Sequence, residues 1–308
     1  MENTGNKLQD QLKEIKEIRR NIDLYKSIHV DTGYIKTNHK IKQHLVKQTF
    51  IQVFNQVAAI LLLPLLISTL LLIYIINHKE PAPVLYTEIK AAPGTIIQTE
   101  LPDQSKVWLN SGSSLRYPNQ FADDKRNVEL TGEGFFNIRT DPTRPFEVSI
   151  PSGLQIIARG TAFNVNAYDD EPYNEIVLHH GLVDVKLKNE YIQMSPNGML
   201  IFHKQDHSIS KLFINADDKI AWKDGRLIFR NTPLDEVMRK LSRRYNVKIT
   251  LHNKNNATYR IRATITNETI TQILDLIKMA APIEWKLSNA EQNKDASFSQ
   301  QHIDVIIK

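Results

Sequence analysis

Val57-Ala58-Ala59-Ile60-Leu61-Leu62-Leu63-Pro64-Leu65-Leu66-Ile67-Ser68-Thr69-Leu70-Leu71-Leu72-Ile73-Tyr74-Ile75-Ile76 is a run of twenty residues without a charge. About 20 apolar residues in a helix cross the roughly 30 Å hydrocarbon core of a bilayer. The run therefore predicts a single transmembrane helix that divides the chain in two. The 56 residues before it exceed the charged start of a signal peptide, and no small-x-small cleavage site follows Ile76. It reads as a retained anchor, with Pro64 bending rather than breaking it.

Working outward toward the N-terminus, residues 1–56 hold ten Lys or Arg against six Asp or Glu. By the positive-inside rule such a tail stays in the cytoplasm, which places everything after the span outside. Leu8, Leu12, Ile15 and Ile22 recur at helical spacing from about Lys7 to Ile28, one apolar stripe of an amphipathic helix. An isolated helix of this length is marginal in water, so the stripe must meet a second helix, a membrane surface or a partner protein. His29 to Gly33 reads as a break, and a second helix runs from about Tyr34 into the span. A basic tail also admits a DNA-binding regulator, although no helix-turn-helix spacing is present.

After the span, residues 77–84 contain Pro81 and Pro83 and read as a stiff linker. The pattern then changes from period 3.6 to period 2: Val107 and Leu109, Val128 and Leu130, and Phe146, Val148 and Ile150 alternate with polar residues. Leu101-Pro102-Asp103-Gln104 has the composition of a tight turn. Residues 85–214 thus form an all-β domain of stacked hairpins, sandwich-like or solenoid-like, since alternation is common to both. Residues 219–308 read as an α+β domain in the order β-α-β-β-α-β-β, its helices offering Leu234, Val237, Met238, Leu241 and Ile270, Ile273, Leu274, Ile277 to a sheet. Pro233 opens the first helix and Pro282 follows the second.

Little here points to catalysis or to a cofactor. The chain has no cysteine, which excludes disulfides and thiolate chemistry. Gly132-Glu133-Gly134 lacks the third glycine of a dinucleotide fingerprint, and no phosphate-binding loop exists. His179-His180 and the pair His203 and His207 stand in strand and turn contexts, where no metal set converges. Asp123-Asp124, Asp169-Asp170 and Asp217-Asp218 read as solvated loop residues. Trp108, Phe121, Phe135, Phe136, Phe146 and Phe163 read as core; exposed, they would make a carbohydrate platform and a periplasmic carbohydrate-binding surface protein.

Six motifs in order carry a resemblance: Thr99-Glu100-Leu101-Pro102-Asp103, Val107-Trp108-Leu109-Asn110, Ser114-Leu115-x-Tyr117-Pro118, Val128-x-Leu130-x-Gly132-Glu133, Pro145-Phe146-x-Val148 and Gly160-Thr161-x-Phe163-Asn164-Val165. They resemble the periplasmic domain of the FecR family, with Gln104 where that family usually has glycine. The segment from Trp222, with Phe229, Pro233-Leu234 and Tyr245-Asn246-Val247, is similar to the extra domain of Bacteroidetes-type members and to the short N-terminal domain of secretins and TonB-dependent receptors. The resemblance implies a non-enzymatic, single-pass inner-membrane anti-sigma factor without cofactor or metal. Its cytoplasmic tail would hold an extracytoplasmic-function sigma factor through Leu8, Leu12, Ile15 and Ile22, and its periplasmic part would contact the signalling domain of a TonB-dependent outer-membrane receptor. It also implies a self-cleavage site at Gly160 and Thr161, as reported for some members.

Overall fold

The computed structural model describes residues 3–27, 30–77, 84–253, 256–288 and 299–308. It divides into two compact units, residues 1–82 and 83–308. The first unit is helical: α1 spans Asn3–Ser27 and α2 spans Val30–Asn77. Helix α2 resumes at Val30, so Asp31, Thr32 and Gly33 are helical where the sequence suggested a break, while His29 lies outside the described residues. A single glycine in a helix costs only about 1 kcal/mol, too little to stop so long an apolar segment. Pro64 sits inside α2 without interrupting it. Within α2, Ile60–Asn77 is long and apolar enough to cross a membrane and is wholly exposed.

The second unit begins with thirteen strands: β1 (Tyr86–Lys90), β2 (Ile97–Glu100), β3 (Lys106–Leu109), β4 (Ser114–Pro118), β5 (Arg126–Asn137), β6 (Phe146–Ser149), β7 (Gln155–Ala158), β8 (Ala162–Ala167), β9 (Tyr173–His180), β10 (Val183–Leu187), β11 (Glu190–Met194), β12 (Gly198–His203) and β13 (Ile209–Phe213). They form one curled sheet. Its two halves share β5, twice the usual strand length. The first half of β5 pairs with β4 and, in parallel, with β6; its second half pairs with β3 and β8.

The handover falls at Gly132, where φ is +88° and a Cβ would lie 2.4 Å from Ser113 Oγ. Only glycine gives the strand that conformation and that close approach. Bent there, the sheet closes over one core that includes Leu109, Leu115, Leu130, Phe136, Phe146, Ile156, Phe163 and Ile176. Gly132-Glu133-Gly134 is therefore a strand bend.

The Pro-Asp turn is a second fixed point. Gln104 N–H donates to the Leu101 carbonyl and Leu101 N–H to that of Ser105, closing the β2–β3 hairpin with Gln104 left-handed at φ +69°. This is a type I turn followed by a left-handed bulge residue, where glycine is the usual choice. Asp103 receives the Ser105 amide (3.0 Å) and hydroxyl (2.7 Å) and a 2.6 Å ion pair from Arg126 at the start of β5. Arg126 is fully buried and also donates to the carbonyls of Arg144 (2.9 Å) and Arg139 (3.0 Å). A buried guanidinium is tolerated because most of its donors are met.

A connecting segment follows, with α3 at Ala216–Ile220 and a 3-10 turn at Ala221–Asp224. Asp217 and Asp218 lie in the first turn of α3, not in a loop; Asn215 caps it, and carboxylates suit a helix N-terminus. The remaining elements are β14 (Leu227–Pro233), α4 (Leu234–Tyr245), β15 (Lys248–Asn253), β16 (Arg260–Ile265), α5 (Ile270–Ala280), β17 (Ile283–Ser288) and β18 (His302–Ile307). Pro233 ends β14 and occupies the N-cap of α4, one residue before the first turn. A Thr269–Gln272 capping box opens α5, which ends ahead of Pro282. The strands form two small sheets, β14-β16 and β15-β18-β17, over a core from Phe229, Leu234, Val237, Leu241, Leu274, Ile303 and Val305.

Two glycine positions test this account in opposite directions. A left-handed conformation costs a non-glycine residue roughly 1–2 kcal/mol, and glycine's extra unfolded freedom returns about 0.5–1 of it. Gln104→Gly should therefore raise the unfolding free energy of residues 83–308 by about 0.5–1 kcal/mol in urea titrations. Gly132→Ala should lower it by about 2–4 kcal/mol, through strain plus overpacking against Ser113. A neutral Gly132→Ala would disprove the bend.

Candidate functional sites

The first candidate is the stripe on α1. Leu12, Ile15 and Ile22 are 52%, 60% and 46% exposed, and Ile18, Leu24 and Tyr25 are exposed beside them. Leu8 falls within α1, but its side chain lies outside the described residues. The stripe is thus an apolar helix face turned to solvent, with Lys13, Lys16, Glu17 and Arg20 among its exposed neighbours.

The second is Gly160-Thr161, between β7 and β8. Gly160 has φ +129°, and a Cβ there would lie 2.4 Å from Thr140 Oγ1. Thr161 is buried, and its hydroxyl makes no hydrogen bond among the described residues. Its backbone carbonyl accepts from Ile138 N–H at 2.9 Å. An unpartnered nucleophile next to a left-handed glycine combines two uncommon features at one peptide bond.

The third is the face on which the C-terminal module meets the β module. Trp222, in the 3-10 turn, packs with Phe135, Ala162 and Ile220, and Trp108 is partly buried against them. Its indole N–H donates to Asn164 Oδ1 at 3.1 Å, and Asn164 Nδ2 donates to Glu133 Oε1 at 2.9 Å. Asn110 Nδ2 holds the other Glu133 oxygen at 2.7 Å. Burial pushes the Glu133 carboxyl above its usual range, while Lys240 and the two amides pull it back. Nearby, Lys219 pairs with buried Glu175 at 2.8 Å and Lys240 with Glu236 at 2.9 Å. Burial works to lower the Lys240 ammonium, but Glu236, Glu175 and Glu133 outweigh it and hold the group above its ordinary value.

Glu171, 1% exposed at its side chain, bridges Arg239 (2.9 Å) and Arg243 (2.6 Å) of α4. Arg243 also pairs with Asp170 at 2.7 Å and lies 4.0 Å from the centre of the Tyr168 ring. Asp169 and Asp170 are the exposed turn residues that the sequence suggested, but sequence reasoning missed that Glu171 beside them is buried against α4. The available signal was a charged stripe, Glu236, Arg239, Lys240 and Arg243, at the same helical spacing as the apolar stripe of α4.

Other expectations resolve simply. Phe121, Phe135, Phe136, Phe146 and Phe163 are buried, which overturns the carbohydrate platform, since sugar stacking needs open ring faces. Among the described residues no group of three or more His, Cys, Asp or Glu could hold a metal. His179 pairs with Asp217 at 3.1 Å, and His207 stacks on Phe202.

Comparison with known proteins agrees with this architecture. Residues 87–184 match the family described as FecR protein, and residues 226–293 the family described as FecR, C-terminal. Two crystal structures, at 2.50 and 1.65 Å, of a Parabacteroides distasonis protein provisionally described as an anti-sigma factor superpose with a TM-score of 0.63. That protein is 29% identical; the matches cover 73% and 72% of this chain and 100% and 99% of those chains. No curated protein matches.

Truncating the interfacial indole should be costly. Trp222→Ala should destabilise residues 83–308 by about 3–5 kcal/mol, as large-to-small changes at buried aromatics do. Trp222→Phe should cost about 1–2 kcal/mol, because Asn164 Oδ1 then loses its donor. An unchanged midpoint for Trp222→Phe in thermal unfolding would show that the hydrogen bond adds nothing, and equal costs for the two variants that the packing of the ring adds nothing.

Proposed function

From the premise that this chain belongs to the FecR family of anti-sigma factors, we propose that it relays a signal from a TonB-dependent outer-membrane receptor to a cytoplasmic extracytoplasmic-function sigma factor. In this reading residues 1–56 hold the sigma factor, residues 57–76 cross the inner membrane once, and residues 85–308 receive the signal in the periplasm. The observation that carries it is the uncovered apolar stripe of α1, with Leu12, Ile15 and Ile22 about half exposed. Burying one such side chain fully contributes about 1.5–3 kcal/mol, so a groove on a partner that covered the stripe would bind it well. The exposed apolar segment Ile60–Asn77 is the length a bilayer requires. On the receiving side, among the described residues β16 is paired along one edge alone and runs beside an apolar groove of about 330 Å³ lined by Ile265, Ile273 and Leu276. An open strand edge of this kind accepts an added strand from a partner.

Co-purification of residues 1–56 with the sigma factors of the host tests the tail. Stoichiometric retention of one sigma factor is expected, reduced at least about tenfold by Ile15→Glu or Ile22→Glu, since losing one buried anchor of about 1.5–3 kcal/mol already exceeds a factor of ten. Salt-sensitive binding of the tail to DNA without sigma retention would replace this reading by a DNA-binding regulator.

A second reading concerns Gly160-Thr161 and is favoured by the unpartnered Thr161 hydroxyl beside the left-handed Gly160. The hydroxyl oxygen would attack the Gly160 carbonyl carbon, its proton passing to the Thr161 nitrogen as the C–N bond breaks. Water would then hydrolyse the resulting ester to a Gly160 carboxylate and free Thr161. Fragments 1–160 and 161–308 are expected on a denaturing gel, retained in Thr161→Ser and lost in Thr161→Ala. A single intact band from the unaltered chain would sink this reading.

A further inference from the structure

Helix α4 has two working faces. Leu234, Val237, Met238 and Leu241 enter the C-terminal core. Glu236, Arg239, Lys240 and Arg243, set at the same spacing two residues further along the chain, form the charged face described above. Its end is tied down as well. The Arg243 carbonyl, one of the helix's last, accepts from Ser111 Oγ at 2.8 Å, and Ser111 Oγ in turn accepts from Gly94 N–H at 2.7 Å. A helix C-terminus leaves its last carbonyls short of partners; the Asn246 cap N–H reaches the Arg243 carbonyl only at 3.4 Å, and the Ser111 hydroxyl supplies the closer bond.

Gly94 lies in the loop between β1 and β2, at φ +78°, and a Cβ built there would sit 3.3 Å from Asn246 Cβ. Asn246 is itself the left-handed cap of α4. Tyr168 braces the same corner: its hydroxyl donates to the Ser111 carbonyl at 2.7 Å, and its ring carries the Arg243 guanidinium. Residues far apart in sequence, Gly94, Ser111, Tyr168, Glu171, Arg243 and Asn246, therefore meet at one corner of the second unit.

From these contacts we infer that α4 is a latch that fixes the C-terminal module to the β1–β2 loop, so that a displacement of that module is delivered directly to β1, the first strand after the apolar helix. The Glu171 bridge holds the helix laterally, and the Arg243–Ser111–Gly94 relay joins its end to the loop. The inference does not depend on the identity of any partner. It makes the C-terminal module and the start of the β module one rigid body.

The chain contains no cysteine, so paired cysteines report on the corner without background. In the full chain in native membranes, Gly94→Cys with Asn246→Cys should cross-link on mild oxidation, because the Cβ atoms lie within a few tenths of an ångström of disulfide spacing. The bond should form at least tenfold faster than between a control pair of exposed cysteines on separate loops, and adding Glu171→Lys should slow it at least tenfold. Independently, hydrogen exchange in the full chain should show Glu171→Lys accelerating the amides of residues 92–95 at least tenfold, while those of 146–149 stay unchanged. Cross-linking no faster than the control, or protection of residues 92–95 unaffected by Glu171→Lys, would overturn the latch.

Discussion

The β module depends on one strand being allowed to bend. β5 serves both halves of the curled sheet, and it can do so because Gly132 takes a left-handed conformation against Ser113, where any side chain would collide. On one face of β5 Leu130 and Phe136 enter the core. On the other, Glu133 turns toward the C-terminal module, where Asn110 and Asn164 hold both of its oxygens. A single backbone constraint thus closes the core and aims the residue around which the module interface is organised.

That interface is built largely from charge. Taking a carboxylate such as Glu171 out of water costs several kcal/mol, which is recovered only if its oxygens are well paired; two arginines from successive turns of α4 meet that demand. Apolar contact around Trp222 supplies the non-directional part, while the ion pairs fix the position of α4. Such an interface holds α4 in one position, since buried pairs tolerate little displacement. The Arg126–Asp103 pair does comparable work inside the β module, tying the β2–β3 turn to the start of β5.

The first unit has the opposite character. Among the described residues its large apolar side chains are exposed, on α1 along one stripe and on Ile60–Asn77 all round. A helix apolar on every side belongs in hydrocarbon, whereas one with a single stripe belongs against a partner. The membership in an anti-sigma family gives both surfaces a use. The two units thus differ in physical make-up, the first exposing apolar surface and the second burying it.

Much of this was legible in the residues. Hydrophobic periodicity located α1, the apolar span, the alternating strands and both helices of the C-terminal module, because periodicity records how many sides of an element avoid water. Pro282 and the capping residues Thr269 and Gln272 set the limits of α5 for equally local reasons. Asn215–Asp224 was illegible as structure: two very short helical turns carry too few residues for a period, and Trp222 is ordered by what it packs against. Nor could alternation decide how the strands stack, since it reports a buried face and not its partner. The sequence by itself determined the class of each segment, the single apolar span and the motifs of the family. Only the tertiary structure decided that the sheet curls about Gly132, that Glu171 and Arg243 meet, and that the Thr161 hydroxyl has no hydrogen-bond partner among the described residues. Gly132 and Ser113 lie 19 positions apart and Glu171 and Arg243 lie 72 apart, and no local pattern encodes which distant group will neutralise a charge.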